Sequence, residues 1–269
     1  MSQQSLAFRD LTLGYDRHPA VHHLSGTVPA GSLLAIVGAN GSGKSTLLKG
    51  IVGVLKPMDG AILRPASMRL AYLPQQSELD RSFPARVFDL VSLGLWPRRG
   101  LLGRHKAEDR DRLEAALAAV GLKGFATRGI DTLSGGQLQR ALFARVLLQD
   151  ADLILLDEPF NAVDHKTVED LVALIKQWHA EKRTVLVVAH DLELVRAHFP
   201  QTLLLARRLV NWGPTAQVLT PANLALALHF HEAWDDNAPW CAPGDTHDHA
   251  RDDHAHEHHH HAHQHRGAA

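Results

Sequence analysis

Gly38-Ala39-Asn40-Gly41-Ser42-Gly43-Lys44-Ser45 satisfies every position of the pattern G-x-x-x-x-G-K-[ST]. A segment of this kind has the chemistry to hold a nucleotide phosphate. Its glycines permit a tight backbone path on which several N–H groups converge on one anion. The helix that follows presents its N-terminus to the same charge. Lys44 has the length to reach the β- and γ-phosphates, the Ser45 hydroxyl is a hard ligand for Mg²⁺, and Thr46 continues the contact. A functionless Gly-rich turn is the plain alternative, but the apolar run before the motif and the helical pattern after it are the context a phosphate loop needs.

A second element is Leu153-Ile154-Leu155-Leu156-Asp157-Glu158, an apolar strand ending in two carboxylates. Asp157 is placed to hold Mg²⁺, directly or through water. Glu158 would point at the γ-phosphate and polarise an attacking water. Alone, two acids at a strand end could be a solvated terminus; with a phosphate loop in the same chain they read as one catalytic centre. The third element is Leu133-Ser134-Gly135-Gly136-Gln137, ahead of a helix through Arg140 and Arg145. Ser134 reads as a helix cap, and a capped N-terminus is itself a phosphate site.

The elements that carry these residues read as an α/β fold. Leu33–Val37, Leu153–Leu156 and Thr184–Ala189 are continuous apolar runs, as in strands buried on both faces. Arg69–Leu73 reads as a further core strand and Leu6–Leu13 as an edge strand. Helical patterns cover Lys44–Val54, much of Pro84–Gly124 and Lys166–Glu181. Over Lys106–Val120 the residues Leu113, Leu117 and Val120 share one face. Strands alternating with helices imply a largely parallel core sheet. Residues 84–145 are expected to contain an inserted helical subdomain, 1–235 the whole domain, and 236–269 a tail that cannot bury a core.

Composition narrows the class. The chain has 269 residues, 28 Lys plus Arg against 29 Asp plus Glu, and 45% hydrophobic residues. That excludes global disorder, and the absence of a basic excess argues against a nucleic-acid partner. One cysteine, Cys241, excludes an internal disulfide framework. No secretory pattern and no apolar run long enough for a membrane helix is evident, so any membrane path must come from other chains.

The three motifs together, at this spacing, resemble the ATP-binding cassette (ABC) ATPases, and the resemblance runs from about Leu6 to Trp234. It implies a P-loop cassette with an N-terminal antiparallel β portion and an inserted helical subdomain. Position by position, it implies that Tyr15 stacks on adenine, that Gln75 senses Mg²⁺ and meets a membrane partner, and that His190 contacts the γ-phosphate. It also implies that Asp164 is the aspartate of a loop facing a second copy. Asn161 stands where the family often has Ser or Thr. In such proteins two cassettes close head to tail on ATP, with Ser134 of one facing the phosphate held by Lys44 of the other. The implied partners are a second copy, integral membrane permease subunits and, indirectly, a metal-binding soluble receptor. The implied location is peripheral, at the cytoplasmic face of the inner membrane.

The cargo is hinted at by 20 histidines against 2 tyrosines. Ten of them, His247, His249, His254, His256, His258, His259, His260, His261, His263 and His265, crowd the end of the chain. Imidazole favours Zn²⁺, Ni²⁺, Cu²⁺ and Co²⁺, so the tail is a candidate Zn²⁺ binder. A purification tag is the plain alternative, but the longest run is four, His258–His261, with acids and alanines between the others. Phe83–Gly94 and Asp157-Glu158-Pro159-Phe160 also resemble the ATPases of zinc and manganese importers. The expectation is the ATP-hydrolysing subunit of a zinc importer. Manganese, nickel, cobalt or iron-chelate import, or a non-transport ABC ATPase, are the alternatives.

Overall fold

The computed structural model describes residues 6–16, 18–75, 81–96, 107–161 and 163–232; the histidine-rich tail lies outside them. Nine strands form one sheet in the order β4-β1-β2-β9-β8-β3-β7-β6-β5 among the described residues. The parallel part comprises β5 (Leu70–Leu73), β6 (Leu153–Asp157), β7 (Thr184–Val188), β3 (Leu33–Val37) and β8 (Gln201–Ala206). β9 (Arg208–Pro214) returns antiparallel to β8. The antiparallel part is β1 (Leu6–Tyr15), β2 (His18–Val28) and β4 (Asp59–Leu63).

The apolar runs are continuous because both faces of the parallel strands are covered. Leu33, Ala35, Val37, Ile154, Leu156, Val185 and Val187 point into one core, against helices. The alternate residues Leu34, Ile36, Leu153, Leu155, Leu186 and Val188 point into a second core shared with α1 (Lys44–Val52) and the antiparallel strands. The period of two thus divides each strand between two layers. On the first face lie α2 (Val87–Ser92), α3 (Ala107–Ala119), α4 (Gly135–Gln149), α5 (His165–Ala180) and α6 (Leu192–His198). Leu113, Leu117 and Val120 are buried there as their spacing predicts, and Phe143 of α4 stacks on Trp178 of α5 at 5.7 Å. The short α7 (Thr215–Val218) and the terminal α8 (Pro221–Glu232) add Val218 and Ala227 to this same core, beside β8 and β9.

Two strand positions differ from expectation. β1 is not an edge: β4 pairs along its outer side, with Phe8 opposite Ile62. Register shifts between Phe8 and Leu13, with Asp10 at φ 46°, accompany a run in which Leu11, Thr12 and Leu13 are all buried, which simple alternation could not signal. β5, in contrast, ends the sheet and is nonetheless buried at Ala71 and Leu73 because helices cover it.

β2 carries a pH-sensitive position. Burial, then the neighbouring His23 and Arg207, depresses the His22 imidazole from 6.5 to about 4. The unfolded chain therefore takes up this proton before the folded one does. The stability contribution is complete above pH 6.5 and is lost as pH falls towards 4. We expect wild-type stability to drop by about 1–3 kcal/mol across that window on account of His22. In chemical denaturation His22→Gln should show a correspondingly flatter pH dependence; an unchanged slope would remove His22 as the cause.

Candidate functional site

Four site segments leave the carboxyl ends of neighbouring parallel strands. Gly38 follows β3, Gln75 follows β5, Asp157 ends β6 with Glu158 directly after it, and His190 follows β7. The registers Ile36 to Val188, Asp157 to Val188 and Leu73 to Leu156 keep those ends level. A crevice at the carboxyl edge of a parallel sheet is where α/β folds bind ligands. Here it is a cavity of about 820 Å³ lined by Ala20, Asn40, Gly41, Gly43, Lys44, Ser45, Thr46, Gln75, Glu158, Asn161 and His190.

The phosphate loop is glycine where nothing else fits. A Cβ on Gly38 would lie 2.1 Å from the Leu205 carbonyl oxygen, and one on Gly43, at φ +95°, 2.3 Å from that of Ala20. The loop is thus clamped between β8 and β2, with Ser42 fully buried beneath it. The Lys44 ammonium donates to the carbonyls of Gly38 at 2.9 Å and Ala39 at 2.7 Å. Burial pulls its pKa below the usual lysine range, with Glu158 and Asp157 opposing that shift. Below it, the Ser45 hydroxyl donates to Asp157 Oδ1 at 3.1 Å. Asp157 is almost fully buried, and the Tyr72 hydroxyl makes a long contact of 3.5 Å with its second oxygen.

Glu158 stands at the centre. Its backbone is left-handed, at φ 50°, rare for a residue with a Cβ. Its carboxylate meets His190 Nε2 at 2.5 Å, accepts from Gln75 Nε2 at 2.7 Å, and accepts from Asn161 Nδ2. Glu158, Asn161 and His190 also wall a second cleft of about 670 Å³ between the starts of α5 and α6. Strain of this kind persists where surrounding contacts over-determine it, which is common at functional sites.

The remaining sequence-predicted residues sit elsewhere. Ser134 caps α4: its hydroxyl accepts from the Gln137 N–H at 3.2 Å, and the Gln137 side chain accepts from the Ser134 N–H at 3.1 Å. None of Leu133, Ser134, Gly135, Gly136 and Gln137 lines the cavity of their own chain. Asp164 caps α5, accepting from Thr167 N–H at 2.9 Å and Thr167 Oγ1 at 2.8 Å. Gly136 abuts that cap, since a Cβ there would sit 3.3 Å from Asp164 Oδ2. Tyr15 is half-exposed at the end of β1, on the same hairpin as Ala20, and does not line the cavity.

Gln139 and Arg140, which carry no role in the motifs, and Asn161, a departure from the family pattern, also frame the site. Buried Gln139 donates to the Pro159 carbonyl at 2.8 Å, tying α4 to the turn after Glu158. Arg140 donates to Val120 O at 3.2 Å, Thr167 Oγ1 at 3.2 Å and Asp170 at 2.7 Å, joining α3, α4 and α5. A polar residue inside the apolar stripe of α4 was the signal for Gln139. Nothing local signalled the other two.

Among the described residues no helix is long and apolar enough to cross a membrane, and no group of three or more metal-ligating side chains stands ready to hold an ion.

Comparison with known proteins agrees with this fold. The family model for ABC transporters matches residues 21–161. The zinc transport system ATP-binding protein TroB of Treponema pallidum is 42% identical over 217 residues, 78% of this chain and 82% of the relative. The manganese transport system ATP-binding protein MntB of Bacillus subtilis is 40% identical over 221 residues, 80% of this chain and 88% of the relative. Among solved structures, a metal-chelate type ABC transporter in an inward-facing conformation aligns with a TM-score of 0.76 at 30% identity, covering 84% of this chain and 89% of that one. With the phosphate loop, the paired carboxylates and the capped signature helix on one scaffold, the chain belongs to the ABC transporter family, as one of its ATP-hydrolysing cassettes.

Proposed function

We propose that this chain is the ATP-hydrolysing subunit of an importer for a divalent transition metal, with zinc as the cargo. The observation that carries the ATPase part is the convergence of Lys44, the Ser45–Asp157 pair, Glu158 and His190 on one cavity. Phosphoryl transfer needs positioning and charge stabilisation more than covalent chemistry. Backbone N–H groups of Gly38–Ser45 and the Lys44 ammonium bind the β- and γ-phosphates, with Thr46 beside them. Ser45 and Asp157 are adjoining hard oxygens, a donor set that suits Mg²⁺, and Gln75 lines the same cavity as Ser45. Mg²⁺, when bound, neutralises charge on the phosphates. Glu158 orients the attacking water and accepts its proton, while His190 holds the γ-phosphate side.

In this reading the site is completed by a second copy, whose Ser134 segment and Asp164 loop cover the nucleotide. The position of Ser134 outside its own cavity supports that arrangement. Closure would move separate permease subunits, with this chain peripheral at the cytoplasmic face of the inner membrane and a soluble metal receptor acting on the other side. Residues 1–235 form the cassette, with the helical subdomain within 84–145, and 236–269 a tail able to take up Zn²⁺. The metal class is supported by the zinc and manganese systems named for the relatives. Zinc is preferred because the ten tail histidines offer nitrogen donors, whereas manganese prefers oxygen-rich sites. The test is metal-resolved uptake in cells lacking this chain. Zinc accumulation should fall and return with the wild-type chain but not with Glu158→Gln; loss of manganese uptake with zinc intact would reassign the cargo.

A further inference from the structure

Glu158 is held from three directions, and the three donors differ in kind. Gln75 and His190 come from the ends of other strands, β5 and β7, and in the proposed mechanism both are drawn to Mg²⁺ and the γ-phosphate once nucleotide is bound. Asn161 is different: it belongs to the same turn as Glu158. Its backbone N–H donates to the Glu158 carbonyl at 3.3 Å, and its side-chain amide donates to Glu158 Oε2. The turn between them contains Pro159, whose carbonyl is pinned by the buried Gln139 of the signature helix. Asn161 therefore returns two hydrogen bonds to one residue from an anchored frame, on the partition between the nucleotide cavity and the second cleft.

We propose that Asn161 is a positioning residue for hydrolysis: its amide holds the Glu158 carboxylate in one orientation while Gln75 and His190 turn to the nucleotide. A glutamate has three side-chain torsions, the last of them broad, so an unheld carboxylate spreads over many orientations of which few face the water. A donor fixed three residues along the same turn removes that freedom and travels with Glu158 through any movement of the loop. A serine at this position is shorter and lacks the amide's reach. The proposal rests on the reading of Glu158 as the residue that polarises water.

The experiment measures steady-state ATP turnover and equilibrium ATP binding for the full chain and for Asn161→Ala, Asn161→Leu, Asn161→Asp and Glu158→Gln. Losing one hydrogen bond to a charged group at this exposed position should lower kcat about five- to tenfold in the Ala and Leu variants. ATP affinity should stay within about twofold, because the amide does not touch the phosphate-binding atoms. Asp and Leu keep the four side-chain heavy atoms of Asn, branched at the same carbon. A packing role therefore predicts near-normal turnover for both, whereas a donor role predicts a loss in Leu and a larger one in Asp, which sets a like charge against Glu158. Wild-type kcat in Leu and Asp, beside an inactive Glu158→Gln, would overturn the role of Asn161 and leave the base assignment standing. Normal turnover in Glu158→Gln would sink the base assignment and this inference together. Loss of ATP binding in all three Asn161 variants would make Asn161 part of the cavity's architecture and equally overturn the proposal.

Discussion

Glu158→Gln is expected to cut ATP turnover by about 10²- to 10⁴-fold, the range that removal of a general base produces. Binding should survive. Glutamine keeps the size of the side chain, still accepts a hydrogen bond through its carbonyl oxygen, and leaves Lys44, Ser45 and Asp157 untouched. What it lacks is a site that takes a proton from water. If two copies close on ATP and hydrolysis reopens them, the variant should also accumulate as an ATP-dependent dimer, detectable as a doubling of mass in solution. The contrast to look for is between turnover, which collapses, and affinity, which does not. A variant that hydrolysed at the wild-type rate would remove Glu158 from the chemistry, and with it the meaning of the contacts from Gln75, His190 and Asn161.

Lys44→Ala should fail one step earlier. The Lys44 ammonium is buried and desolvated, and burial holds its pKa down, so the folded protein carries a cation in a place that disfavours it. Its two hydrogen bonds, to the carbonyls of Gly38 and Ala39, are partial compensation. A phosphate is the partner that makes such a position favourable. Charge-assisted contacts of this kind are worth about 1.5–3 kcal/mol, so ATP affinity should fall about 10- to 100-fold or more. Thermal stability without nucleotide should scarcely change, because a desolvated charge leaves along with its bonds. Measuring Kd and Tm together separates loss of a ligand contact from loss of the fold; an unchanged Kd would contradict the phosphate-loop reading.

The parts of the candidate site were legible because each of them is local. Gly38–Ser45 is one loop, and its need for glycine at Gly38 and Gly43 is a matter of backbone space. Leu153–Leu156 is apolar throughout since one face of β6 meets the helices of the first core and the other meets the second core, which α1 shares with the antiparallel strands. Ser134 and Gln137, three apart, write their own capping box. What resisted reading was set by distant contacts. β2 is broken in pattern by Pro19, His22, His23 and Gly26, and its place follows from pairing with β1. The depth of β1 depends on irregular register and on β4 returning beside it. β8 carried a plain signal in Leu203-Leu204-Leu205 after Pro200, but β9 is partly buried along most of its length and shows no alternation. The part of Asn161 in the site follows from the left-handed backbone of Glu158, which no residue type announces.

The composite site is what would turn hydrolysis into movement of membrane subunits, and it is open to a direct test by mixing two inactive variants. Lys44→Ala removes the phosphate contact, and Ser134→Arg blocks the segment that faces the partner's nucleotide. Each alone should be inactive in a homodimer, since both of its sites carry the defect. In the mixed dimer, Lys44 of the Ser134→Arg chain meets Ser134 of the Lys44→Ala chain, which rebuilds one complete site. The account predicts that ATP hydrolysis reappears on mixing, at up to about half the wild-type rate per dimer if the two sites act independently. Mixtures that stay as inactive as their components, while still forming dimers, would contradict it.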